Sequence, residues 1–233
     1  MPNTIPLTLF RQNVIEKAER ARRAGILFQL ILGVSAKNID LVGPLLNDPH
    51  LPLCALKVFY GKTTGELLYD DLETLARSLP MDGSKLVVFH SEDQCHVDCN
   101  EKAFHHLLDQ KDPAAFQVHS RIRSSEAAHA STRTILEWAE RSYKRPVHIA
   151  HVSTPVEIEL IAEFKARGTH CTSEVAPHHL IFSVEDYARL GPFVKMNPPL
   201  RSPSEVEALR RLVALGAVDM FATDHAPHTR DKR

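Results

Sequence analysis

The chain has 233 residues, and its 28 basic and 29 acidic residues leave a net charge of −1, so no field draws it to nucleic acid or an acidic membrane. A hydrophobic fraction of 43% and a charged fraction of 24% are ordinary for a soluble globular protein. No apolar run is long enough to span a bilayer, residues 1–4 carry no signal-peptide pattern, and four cysteines (Cys54, Cys95, Cys99, Cys171) are too few for a disulfide framework, so the expected compartment is a reducing cytoplasm.

Residues 7–24 predict an amphipathic helix, with Leu9, Phe10, Val14, Ala18 and Ala21 at helical spacing and Gly25 as its stop. Residues 26–34 form a continuous apolar run and predict a buried strand; residues 37–46 predict a helix. A second strand is expected over 53–60, with a turn at 61–65, a helix over 69–78 and a third strand over 85–90. The polar stretch 91–121 predicts little structure beyond a short helix over 101–108, and a loop of that length suggests function. A strong helix is expected over 124–143 and a strand over 146–151. Thr154-Pro155-Val156-Glu157 is a capping box with proline at the first helical position, opening a helix that runs to about Arg167 before Gly168. A strand over 169–175, a second capping box at Ser202-Pro203-Ser204-Glu205, its helix to Leu215 and a strand over 217–223 complete the order.

Six strands alternating with helices argue for a parallel α/β sheet, either an open doubly wound sheet or a (β/α)8 barrel. No glycine-rich phosphate loop follows any strand, which weakens the nucleotide-binding alternative. Polar residues gather where the strands end. Lys57 is embedded in an apolar strand, His90 and His151 end theirs, Glu174 precedes Pro177-His178-His179, and Asp224 closes the last. In a barrel these ends ring one mouth, where catalytic groups sit. Asp and His beside one another suit a hard or borderline metal such as zinc, and the carboxylate can also move a proton. The 14 histidines are the compositional oddity that such a site explains.

Several segments together resemble the dihydroorotases of the cyclic amidohydrolase superfamily. They are the opening residues 1–6, Leu56-Lys57-Val58-Phe59 with Thr63-Thr64-Gly65, Phe89-His90-Ser91-Glu92, His148-Ile149-Ala150-His151, Glu174-Val175-Ala176-Pro177-His178-His179-Leu180, Asn197-Pro198-Pro199-Leu200-Arg201 and the hallmark residues 222–229. Allantoinases and hydantoinases share some of them. The resemblance implies an incomplete (β/α)8 barrel of the amidohydrolase kind, roughly its strands three to eight, with residues 1–233 as one partial domain. It implies two Zn2+ ions bridged by a carbamylated Lys57, with His90 and His151 on one metal and Asp224 on the other. Asp224 then also serves as the catalytic proton shuttle, while Asn3, Asn197 and His228 match substrate-binding positions. The implied reaction is the reversible cyclisation of N-carbamoyl-L-aspartate to L-dihydroorotate in pyrimidine biosynthesis.

The family's first-strand His-x-His and its arginine have no counterpart here. The expectation is therefore an internal piece of such a barrel, with little or no activity alone. A homo-oligomer, and association with aspartate transcarbamoylase, are the implied partnerships. The rival readings are an allantoinase- or hydantoinase-like enzyme and a non-catalytic subunit scaffolding aspartate transcarbamoylase. Arg123, in Arg123-Ser124-Ser125-Glu126-Ala127, resembles a recurring segment of the family, its plainer reading being a helix-start ion pair, and Glu174 reads as either an extra ligand or an orienting group for neighbouring histidines.

Overall fold

A computed structural model describes residues 6–62, 67–80, 83, 85–107, 116–142 and 145–225. Its strands are β1 (Leu30–Gly33), β2 (Leu53–Tyr60), β3 (Leu86–Ser91), β4 (Val147–Ile149), β5 (Cys171–Val175) and β6 (Met220–Phe221). All neighbouring pairs are parallel and the spatial order is β1-β2-β3-β4-β5-β6. Sequential order with no reversal is the order of a barrel wall; a doubly wound sheet changes direction at a switch point. The sheet is open, so β1 and β6 are its two edges.

Helices cover one face: α1 (Arg11–Arg23), α2 (Val42–Leu46), α3 (Leu72–Ser78), α6 (Ser125–Arg141), α7 (Pro155–Ala166) and α10 (Pro203–Ala214). Leu56 and Val58 of β2, Val87 and Phe89 of β3, and Val147 and Ile149 of β4 point into that layer. They meet Val14 of α1, Leu75 of α3, Ile135 and Trp138 of α6, Ile161 and Phe164 of α7, and Leu209 of α10. Alternation along a strand sends the intervening residues to the other face, and these include Lys57, Phe59, His90, His148, Thr172 and Glu174.

The helix starts follow their capping chemistry. Thr154 and Ser202 each accept from the backbone N–H three residues on, and Glu157 and Glu205 each return the bond. Gly168, at φ 87°, supplies the left-handed residue after α7. Three elements depart from expectation. The first strand shrinks to Leu30–Gly33, leaving Ile26 and Leu27 exposed at the sheet edge. The 37–46 helix breaks into a 3-10 turn (Ile39–Leu41) and α2, where Gly43 and Pro44 weaken a continuous helix. The last strand is only Met220–Phe221, and both residues are exposed rather than buried, because β5 alone pairs with it.

The polar stretch 91–121 holds more helix than expected. α4 runs Gln94–Phe104, started by Asp93, whose carboxylate accepts from the His96 N–H; a 3-10 turn (His105–Leu107) follows, and α5 spans Gln117–Ile122. The remaining helices, α8 (Pro177–Ile181) and α9 (Tyr187–Leu190), lie in the long connection between β5 and α10. No helix of the described residues is long and apolar enough to cross a membrane.

Candidate metal centre

Strand register places Lys57 and His90 on the same face of the sheet. Lys57 pairs in register with Val88, Val88 with His148 and His148 with Thr172, so these residues form one row across four strands. His90 stands opposite Phe59 on the next row, and the two rings lie 5.9 Å apart. His151 follows β4, and Asp224 follows β6. Among the described residues, the non-glycine positions with positive φ are His151, at 38°, and Asp224, at 45°. Left-handed backbone is unfavourable for such residues and concentrates at functional sites.

At the centre, His90 Nδ1 lies 3.1 Å from His151 Nε2, with the rings edge to face at a centroid distance of 4.8 Å. Both rings are buried. Burial holds both imidazoles below their ordinary pKa, His151 well below it, so both are neutral and keep a lone pair. The second nitrogen of His90, Nε2, lies 2.8 Å from Glu92 Oε2 and donates to that carboxylate. This assigns the proton to Nε2 and leaves Nδ1 bare toward His151.

Lys57 enters from β2. Burial lowers its pKa to about 8, against the opposing pull of Asp224 and Glu174. Its Nζ lies 5.5 Å from the centre of the Phe59 ring, and no carboxylate of the described residues makes an ion pair with it. Asp224 is affected in the other direction: burial raises its carboxyl, although Lys57 and His90 pull it down. The charges of Lys57, His90 and Asp224 are thus felt by one another, and His151 feels those of Lys57 and His90.

Glu174 has both oxygens engaged. Oε2 takes His148 Nε2 at 3.0 Å, and Oε1 accepts from the His151 N–H at 3.3 Å. His148 is anchored in turn by Thr172, 2.8 Å from its Nδ1. Of the two expectations for Glu174, this geometry fits the orienting one, because the carboxylate braces the strained backbone of His151. Burial would raise the Glu174 carboxyl, but the His148 bond and the charges of His148 and Lys57 outweigh it and lower it. Arg123 is not a surface helix-start pair: it is buried and donates to Glu92 Oε2 and to the Lys62 carbonyl. Asn197 has its Oδ1 buried and unpartnered among the described residues. Asn3 and His228, the other expected substrate-binding residues, lie outside the described residues, as do Thr63-Thr64-Gly65 and the end of the hallmark segment.

Two imidazole nitrogens bound tetrahedrally to one zinc at about 2.05 Å stand roughly 3.3 Å apart. The observed 3.1 Å between His90 and His151 fits that arrangement, and the donor set suits a borderline divalent ion. Among the described residues no three His, Cys, Asp or Glu side chains group as a ready-made cation site. Asp224 therefore does not join His90 and His151 in one such group, and Lys57 would offer oxygen ligands only after capturing CO2.

No family model matches the chain. It is 32% identical to the dihydroorotase of Methanosarcina mazei, covering 100% of this chain and 50% of that one. It is 33% identical to the dihydroorotase of Halobacterium salinarum, covering 100% of this chain and 51% of that one. Among solved structures, the L-hydantoinase of Arthrobacter aurescens superposes with a TM-score of 0.84 at 22% identity, over 98% of this chain and 50% of that one. The fold is therefore that of the amidohydrolase barrels. The chain is similar over its whole extent to dihydroorotases and spans about half the length of these curated relatives.

Proposed function

We propose that this chain carries one wall of a dihydroorotase centre, as a single partial barrel domain over residues 1–233, with Zn2+ as its cofactor. The observation that supports this reading most is the approach of His90 Nδ1 to within 3.1 Å of His151 Nε2, two buried neutral imidazoles that feel the charge of Lys57, with Asp224 in turn feeling Lys57 and His90. His90, His151 and a carbamylated Lys57 would hold one ion, and Lys57 with Asp224 the other. When bound, such a pair supplies an activated water at neutral pH and polarises a substrate carbonyl.

The chain's own residues supply the rest. Lys57, with a pKa of about 8, is neutral in roughly a tenth of molecules at pH 7, and the neutral amine is the form that captures CO2. Asp224, a carboxyl raised by burial, takes a proton from the attacking water and returns it to the ring nitrogen as the C–N bond breaks. In the opposite direction the same carboxyl serves ring closure of N-carbamoyl-L-aspartate. Asn197 offers its unpartnered Oδ1 to a substrate N–H, and Asn3 and His228 are proposed as further contacts. A homo-oligomer and a complex with aspartate transcarbamoylase belong to this proposal.

The gene product carrying this sequence is expected to open L-dihydroorotate with a kcat/KM at least 100-fold above that for hydantoin or allantoin. Ring opening followed on the three substrates side by side checks this. Preference for hydantoin or allantoin would overturn the substrate assignment.

A further inference from the structure

The histidine that faces the centre is itself gripped from behind. His90 Nε2 lies 2.8 Å from Glu92 Oε2, and the same oxygen receives an N–H from Arg123. The exposures of these side chains are 2% for His90, 1% for Glu92 and 10% for Arg123. Water therefore cannot substitute for either bond. Arg123 spends its other terminal nitrogen on the carbonyl of Lys62, in the loop that leaves β2. The end of β2 is tied to Glu92 directly: the Glu92 N–H donates to the Tyr60 carbonyl at 3.1 Å. A Cβ on Gly61 would fall 2.2 Å from the Glu92 carbonyl oxygen. Arg123 is fixed in turn, since Arg201 donates to its carbonyl at 2.6 Å and to Ser153 Oγ at 2.9 Å.

We propose that Glu92 is the positioning residue of His90, and that Arg123 holds Glu92 in place, so that the pair dictates which imidazole nitrogen faces His151. The inference rests on the metal-centre reading above. A bare Nε2 facing the carboxylate would set lone pair against lone pair in a dry pocket, so the proton stays on Nε2 and Nδ1 is presented unprotonated. An anionic partner on the far nitrogen also makes the near nitrogen a stronger donor to a cation.

Zinc affinity of the full 233-residue chain, measured in bicarbonate buffer by competition with a chromophoric chelator, tests this. Glu92→Gln is expected to bind zinc 10- to 100-fold more weakly than the unmodified chain. In the metal-free protein, the slowly exchanging His90 Nε2–H is expected to move upfield in nitrogen–proton spectra of the same variant. Affinity within twofold of the unmodified chain, in a variant that melts normally, overturns the proposal while leaving the metal reading intact. Should Glu92→Gln not fold, Arg123→Lys is read in its place, because lysine cannot hold Glu92 and the Lys62 carbonyl together. A loss of threefold or more supports the proposal, and unchanged affinity overturns it. Failure of the unmodified chain to take up zinc overturns both readings.

Discussion

Lys57→Ala is expected to weaken zinc binding about 100-fold in bicarbonate buffer, a loss of about 2.7 kcal/mol. The chelator competition used for Glu92 measures it. The side chain is one of three proposed ligands around the ion between His90 and His151, and alanine cannot be carbamylated. Zinc uptake by the unmodified chain is expected to rise with pH through about 8, as the neutral amine becomes the main form. Stability of the metal-free fold changes with pH in the same direction. In metal- and CO2-free buffer the unfolded chain holds the Lys57 proton up to about 10.5, but the folded chain holds it only to about 8. The unfolded state therefore binds more protons between those values, and the folded state gains stability as pH rises across them. Lys57→Ala should remove that increment, which melting curves at several pH values would show. Equal zinc affinity in the two proteins would remove Lys57 from the centre.

Trp138→Ala is expected to destabilise the fold by about 4 kcal/mol. The indole is buried, packs edge-on against Phe89 at 5.7 Å and 73°, and donates to the Leu72 carbonyl at 2.9 Å. Truncation leaves a cavity between α6 and the sheet and strips a buried carbonyl of its donor. For a chain of this size the melting temperature should fall by roughly 8–16 °C. Phe89 precedes His90 on β3, so slackening at Trp138 also reaches the strand that presents the imidazole. Trp138→Phe should lose much less, because it fills most of the space and forfeits chiefly the hydrogen bond. A melting temperature within 2 °C of the unmodified chain for Trp138→Ala would contradict the packing described for α6.

The parts of this architecture that rest on local chemistry are legible in the sequence. The apolar runs around Leu56, Phe89 and Ile149 announce strands because their helix-facing residues are buried in the core of a parallel sheet. The proline-containing capping boxes at Thr154 and Ser202 announce helix starts because side chain and backbone satisfy one another within four residues. Lys57, His90, His151 and Asp224 stand out because polar groups at the ends of apolar strands need a reason to be there.

What the sequence does not disclose depends on distant contacts. The short exposed β6 resembles a buried strand in composition; only its single neighbour decides otherwise. The start of α4 hides because the helix is polar along most of its length and its signal is one aspartate, Asp93, with no matching acid or amide three residues on. The partnership of Glu92 with Arg123, 31 residues away, has no local mark at all. Nor does the closing of both Glu174 oxygens on His148 and His151, which separates an orienting carboxylate from a ligand.

In the proposed centre, side chains from Lys57 to Asp224 surround a shared cation site. Anomalous diffraction at the zinc edge, from crystals of the chain grown with zinc and bicarbonate, tests it most directly. The expected result is a peak between His90 Nδ1 and His151 Nε2, with carbamate density extending from Lys57 Nζ toward it and the Asp224 carboxylate on the same rim. A bare Lys57 with the zinc bound elsewhere, such as at the exposed thiols of Cys95 and Cys99, would contradict the account.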